Sequence, residues 1–312
     1  MHAHKGTKHD VGMDCGNPRQ RAMKSARVKQ VVRSITPPII VSGVRNLRRR
    51  VGARTSPLRQ WEYVPEGWSR AQTDPALAGW DVPGVVEAYH AKVSEFRDTV
   101  IGSDPLASPT SAGLRAGASL DNQNAILVFG YALALASRRR DTVSVLDWGG
   151  GAGVFYFLSR ALLPPKVNVA YHCKDLPGVC AYGRQVLPGV QFHDDDACLQ
   201  ASYDLVLASN SLQYAENWQS LVSCLARATR RYLLLTQVPI VVSASSYVVV
   251  QRAYRYGLST EYLGWVFNRD ELVDEAQAAG TQLVREFLLA RGAFIHGAPE
   301  QQETRGFLFR RE

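Results

Sequence analysis

The chain has 312 residues, 46% of them hydrophobic, and a formal net charge of +8, enough apolar material for a packed core in one large domain or two small ones. The positive charge is confined to the start: residues 1–60 hold 14 Lys and Arg against Asp10 and Asp14, while the remainder holds 22 basic and 26 acidic residues. A general polyanion-binding body, and with it a nucleic-acid partner, is therefore not expected.

Five cysteines (Cys15, Cys173, Cys180, Cys198 and Cys224) without a CxxC pair argue against a disulfide framework or a zinc site and for a reducing, cytoplasmic setting. Residues 1–23 are rich in His, Lys and Gly and lack periodicity, which predicts a disordered leader with no secretory signal. Over 24–60 the apolar residues Val28, Val31, Val32, Ile35, Ile40, Val44, Leu47 and Val51 recur at helical spacing among basic ones. Two short basic amphipathic helices are expected, suited either to packing on the body or to peripheral contact with an anionic membrane through 24–59.

Residues 61–140 read as a helical cap region: "WEYVPEGW" opens it, helices are expected over 85–101 and 120–138, and the Gly, Pro and Ser content of 102–117 marks a loop. From Val143 strands alternate with helices. Strands are expected at 143–147, 167–173, 189–193, 203–208 and 231–237, with two more in "LVREFLLA" and "TRGFLFRR". That rhythm predicts a doubly wound, mostly parallel α/β sheet. Asn268 is placed to cap a helix that stops at Gly280, with Glu271 as its capping-box partner. The domain of 141–312 is expected to carry a substrate-cap insertion at about 243–267.

The chemistry is concentrated after the first of these strands, in "VSVLDWGGGAG". A dinucleotide fingerprint needs a third glycine at position 154, which is Val154, and no Gly-Lys-Ser or Gly-Lys-Thr follows for a triphosphate. The pattern present is D-x-G-x-G-x-G: Asp147, Gly149, Gly151 and Gly153, with Gly150 between. Side-chain-free backbone and a helix N-terminus suit an amino-acid tail, with Asp147 as partner for its ammonium. Asp175, 22 residues after Gly153, stands where an acid accepts ribose hydroxyls. Asp194 and Asp195 in "FHDDDACL" are candidates for an adenine contact; a metal site is not expected from consecutive carboxylates. Ser209, Asn210, Gln213 and Tyr214, in "LASNSLQYAENW", fall at the ligand-binding edge of such a sheet.

With these motifs the sequence resembles the class I S-adenosylmethionine-dependent methyltransferases, whose fold is a Rossmann-like, doubly wound, seven-stranded sheet, here with an N-terminal helical extension. The "DLP" of Asp175–Leu176–Pro177 resembles small-molecule O-methyltransferases. The segments "SYVVVQRAYRYGLSTEYLGWVFNRDEL" and "GAPEQQETRGFLFR" resemble an uncharacterised family of bacterial methyltransferases found among surface-polysaccharide genes. The resemblance implies S-adenosylmethionine as cofactor, held by Asp147, Gly149, Gly150, Gly151, Gly153, Asp175, Leu176, Asp194, Asp195, Ser209 and Asn210. It implies methyl transfer to an acceptor, expected to be an oxygen of a sugar or glycolipid. A natural-product O-methyltransferase, or a non-catalytic membrane adaptor on a degenerate fold, are the alternatives. Tyr214, Tyr254, Tyr256, Tyr262 and Trp265 supply aromatic faces for a polyhydroxylated ring, and His296, Glu261 and Gln213 are the candidates to assist the reaction.

Overall fold

Alternate burial on two faces builds the central sheet. In the computed structural model, which describes residues 59–72, individual residues between 74 and 86, 120–256 and 260–312, the strands β2 (Thr142–Trp148), β3 (Asn168–Lys174), β4 (Gln191–His193), β5 (Tyr203–Ser209) and β6 (Thr229–Val241) follow the expected runs. Leu205, Leu207 and Leu234 enter one core cluster, while Val206, Ala208, Leu233 and Leu235 enter another on the opposite face. A strand buried on both sides reads as a continuous apolar run, and helices must cover each face.

On the first face lie α1 (Leu120–Ser137), which brings Ile126, Phe129 and Leu133, and α2 (Val154–Leu162), which brings Leu158; Cys180 of α3 (Pro177–Val186) joins them. On the other, α4 (Trp218–Arg227) and α5 (Arg269–Ala278) contribute Trp218, Val222, Leu225, Leu272 and Ala276. Two last strands, β9 (Thr281–Arg291) and β10 (Glu303–Arg311), complete a seven-strand order β4-β3-β2-β5-β6-β10-β9, in which β10 is antiparallel to both neighbours. This is the seven-stranded, Rossmann-like arrangement expected.

Three further strands depart from the expectation. Trp61–Val64, placed by its sequence in a helical cap, is strand β1, and the stretch expected to be a substrate-cap insertion, for which no strands were read, forms β7 (Tyr247–Arg252) and β8 (Glu261–Asn268). All three pair antiparallel in the order β1-β7-β8. The 13-residue β6 outruns β5, whose last partner is Ser209 opposite Thr236; Ile240 and Val241 then pair with Phe267 and Asn268 of β8 while Ile240 keeps Glu303 on its other side. Strand β8 thus takes the edge that β5 vacates, and the three-stranded sheet rises from the carboxyl end of the parallel one.

Residues Leu58–Glu312 form one compact unit. The leader of 1–23, the basic helices within 24–58, nearly all of the helix expected over 85–101 and the loop of 102–117 lie outside the described residues.

Asn268 ends β8 and caps α5, its Oδ1 accepting from the N–H of Asp270 at 2.9 Å and of Glu271 at 3.2 Å. The capping box closes indirectly: the Asn268 N–H donates to Ser246 Oγ at 2.8 Å, and that hydroxyl donates to Glu271 Oε2 at 2.5 Å. Its Nδ2 also donates to the carbonyls of Val242 and Ala244. Asn268→Ala is expected to cost about 2 kcal/mol in urea denaturation, the upper end for an N-cap because the same side chain also anchors the β6–β7 connection to the start of α5.

Candidate active site

Between β2 and α2 the chain turns within five residues. Gly149, Gly151 and Gly153 have φ of 72°, 59° and 84°, a region that L side chains rarely enter. Gly150 is required for another reason, since a Cβ there would overlap the Asp147 carboxylate and the Cys173 sulfur. The N–H groups of Gly149 and Gly150 donate to the Lys174 carbonyl at 2.8 and 3.4 Å, strapping the turn to the end of β3. Helix α2 begins on Gly153 with no side-chain cap and no acid in its first turn, so the positive end of its dipole faces the turn unneutralised.

Asp175, just past β3, closes the other side. Its Oδ2 accepts from the Gly151 N–H at 2.8 Å and its Oδ1 from its neighbour Leu176 at 2.7 Å. Burial raises its pKa, opposed by those two hydrogen bonds and by the Lys174 charge. A carboxylate offers about four lone-pair positions, so both oxygens keep capacity for further donors. Leu176 is the N-cap of α3, followed by Pro177 at the first helical position.

The other candidate acids are placed differently. Asp147, expected to face an ammonium, is 1% exposed beneath Gly150, and its Oδ2 accepts from Tyr171 Oη at 2.7 Å. Burial pushes its pKa up to about 7, the Tyr171 bond pulls it down and the nearby Asp175 adds to the rise. Asp147 thus lies under the turn as its floor. Asp194 pairs with Arg184 at 3.1 Å on the surface of α3, and Asp195 caps the short turn of 196–200 through the Ala197 N–H. Each of the two carboxylates expected to meet an adenine thus holds one such partner through one oxygen, just past the end of β4.

Beside the turn, β5 ends on a set of polar side chains. Ser211 Oγ donates to the Trp148 carbonyl at 2.8 Å, and a Cβ on Gly149 would overlap it. Gln213 Nε2 donates to Asn210 Oδ1 at 2.7 Å, and Ser209 Oγ donates to Gln237 Oε1 at 3.1 Å. Gln237 in turn donates to Asn122 Oδ1 at 3.1 Å, from the first turn of α1. Neither Gln237 nor Asn122 was singled out by the sequence; the only signal is the polar Thr236–Gln237 break in an otherwise apolar strand.

The match to known families decides what this arrangement belongs to. The family model described as "Methyltransferase domain" matches residues 121–286, more than half of the chain. The chain belongs to the methyltransferase domain family. S-adenosylmethionine is its cofactor. No curated protein matches it. Among solved structures, it is similar to magnesium protoporphyrin IX methyltransferase from Synechocystis PCC 6803, with 13% identity, 73% of this chain and 95% of that chain covered, and a TM-score of 0.44. The 1,6-didemethyltoxoflavin-N1-methyltransferase of Burkholderia thailandensis gives 16% identity, 76% and 92% coverage, and 0.43. An amino pentose methyltransferase of Micromonospora echinaspora gives 17%, 63% and 93%, and 0.40.

In this methyltransferase, Tyr262 and Tyr214 meet edge to face at 5.2 Å, and Trp80 stacks on Tyr262 at 4.3 Å. The cluster packs on Leu176 and Val179 at the start of α3, so β8 is joined across to the Asp175 end of the sheet. Tyr214 Oη donates to Gln251 Oε1 at 3.2 Å. Trp265 turns away, stacked on Trp68 with its Nε1 donating to the Glu216 carbonyl, and the side chain of Tyr256 lies outside the described residues.

The other two candidates to assist the reaction lie in the added three-stranded sheet and at its edge. Glu261 is held by Arg252 at 3.2 Å and accepts from Tyr254 Oη at 2.6 Å. The backbone of His296 bridges β1 through Tyr63 N–H and Trp61 carbonyl, on the edge of the added sheet remote from β8. Among the described residues no helix is long and apolar enough to cross a membrane.

Proposed function

We propose that this methyltransferase transfers a methyl group to an oxygen of a sugar or glycolipid in surface-polysaccharide biosynthesis. The observation that carries the reading is the aromatic set Trp80, Tyr214 and Tyr262 packed beside Leu176, next to Asp175, since aromatic side chains with a few polar groups suit a pyranose ring. The hairpin within 243–267, with β1 and the Trp80 segment, serves as the acceptor cap.

The cofactor fits the turn. Asp175 has lone pairs for the ribose hydroxyls, the bare backbone of Gly149–Gly153 admits the amino-acid tail, and the uncapped start of α2 favours its carboxylate. Ser209 and Asn210 border the same edge. When bound, the sulfonium supplies an electrophilic methyl; the protein's part is to align the acceptor in line with it and exclude water. Basic residues within 24–59 give the cytoplasmic enzyme peripheral contact with anionic lipid.

The test is incubation with deuteromethyl-labelled S-adenosylmethionine and a panel of glycosides and glycolipid extracts, read by mass spectrometry. Label on a sugar oxygen is the expected outcome. Label found only on amines or on small phenols would move the assignment to natural-product chemistry.

A further inference from the structure

Asn210, just past the end of β5, and Gln237, within the neighbouring β6, have φ of 52° and 55°, and the Asn210 N–H donates to the carbonyl of Thr236 at 3.0 Å. Asparagine tolerates this left-handed conformation; glutamine seldom adopts it. Gln237 is forced there by a bulge in β6: Leu235 lies opposite Phe307 and Val238 opposite Arg305, which leaves Thr236 and Gln237 facing Gly306 alone. Glycine at 237 would make the same bulge without strain, so the glutamine side chain has to account for it.

That side chain joins Ser209 to Asn122, while Gln213 holds Asn210 and leaves its own Oε1 buried without a partner in a residue only 3% exposed. An unmatched carbonyl oxygen is costly, and strained residues clustered with it mark a functional position. Asn122, Ser209, Asn210, Gln213 and Gln237 are all uncharged, and their side-chain hydrogen bonds described above run among themselves. A charged acceptor desolvated against them would find no counter-charge.

We propose that these five residues form an acceptor-orienting carboxamide site, in which Gln213 Oε1 takes a hydrogen bond from an uncharged, hydroxyl-bearing acceptor and the bulge sets Gln237 to fix Ser209 beside it. The proposal rests on the methyltransferase reading and adds the neutral character of the acceptor and the residues that select it. Gln213 and Gln237 orient; neither removes a proton.

Protein loaded with S-adenosylhomocysteine is titrated with methyl α-D-glucopyranoside and with its uronate analogue by saturation-transfer NMR, for wild type, Gln213→Leu and Gln237→Gly. The neutral glycoside is expected to bind about tenfold more tightly than the uronate and to lose about tenfold in either variant. S-adenosylhomocysteine affinity, measured by calorimetry, is expected to stay within about twofold. Equal binding of both sugars, unchanged affinity in the variants, or no glycoside binding by loaded wild type each overturns the site. Failure of wild type to bind S-adenosylhomocysteine overturns the methyltransferase reading beneath it instead. Should Gln213→Leu not fold, Gln237→Gly, compatible with the bulge, decides the question.

Discussion

Asp175→Ala is expected to weaken S-adenosylhomocysteine binding by about 100-fold or more, equivalent to about 2.7 kcal/mol. Two losses add. The carboxylate is the acceptor proposed for the ribose hydroxyls, and charge-assisted hydrogen bonds of this kind contribute about 1.5–3 kcal/mol. It also receives the N–H of Gly151 and of Leu176, so its removal loosens Gly151, where the cofactor's tail is to lie, while Gly149 and Gly150 keep their bonds to the Lys174 carbonyl. Asp175→Asn separates the two effects. Its one carbonyl oxygen can keep a single N–H, while its amide nitrogen is set against the other donor, and an intermediate loss of about tenfold is expected. Isothermal titration of both folded variants beside wild type reads the series. Wild-type affinity in Asp175→Ala would remove the ribose assignment and leave Asp175 as a brace for the turn.

The contrast between Asp175 and Asp147 shows how far the sequence carried the site. Both acids close a strand and flank the glycines, and spacing alone assigned both to the cofactor. The fold separates them through neighbours that no local pattern reveals: Tyr171, from the adjacent strand, takes the Asp147 carboxylate into the core, whereas Asp175 lies beyond β3 among backbone donors. Strands β5 and β6 were legible because burial on both faces writes itself as a largely apolar run. Strand β1 was not, since "WEYV" becomes extended only by pairing with Val248–Gln251, almost two hundred positions away. Gln237 was hidden for a different reason. A bulge with positive φ is signalled by glycine or asparagine, and a glutamine there gives no warning.

Asp147→Asn is expected to leave a distinct pH signature in stability. Asp147 ionises at about 7 in the folded protein, against the ordinary value of 3.8, because ionisation strands a charge in the core. Where a group is protonated more readily in the folded than in the unfolded state, stability is greatest at low pH and falls as pH rises between the two values. Wild type should therefore lose stability through this group from about pH 4 to about pH 7, at up to about 1.4 kcal/mol per unit and on the order of 2–4 kcal/mol in all. The asparagine variant keeps an oxygen for Tyr171 and has nothing to ionise. Asp204 and Glu286, where burial raises the pKa but is outweighed by Ser144 and the arginines around them so that the net shift is downward, destabilise both proteins alike on acidification and cancel in the difference. Urea denaturation of both proteins across that range should give a gap that opens with pH and levels off above 7; a constant gap would mean that Asp147 is charged in the fold throughout. The same pair tests its role. If the carboxylate is only the floor beneath Gly150, the variant binds S-adenosylhomocysteine within about twofold of wild type, whereas a loss comparable to that of Asp175→Ala would restore Asp147 as the partner of the cofactor's ammonium.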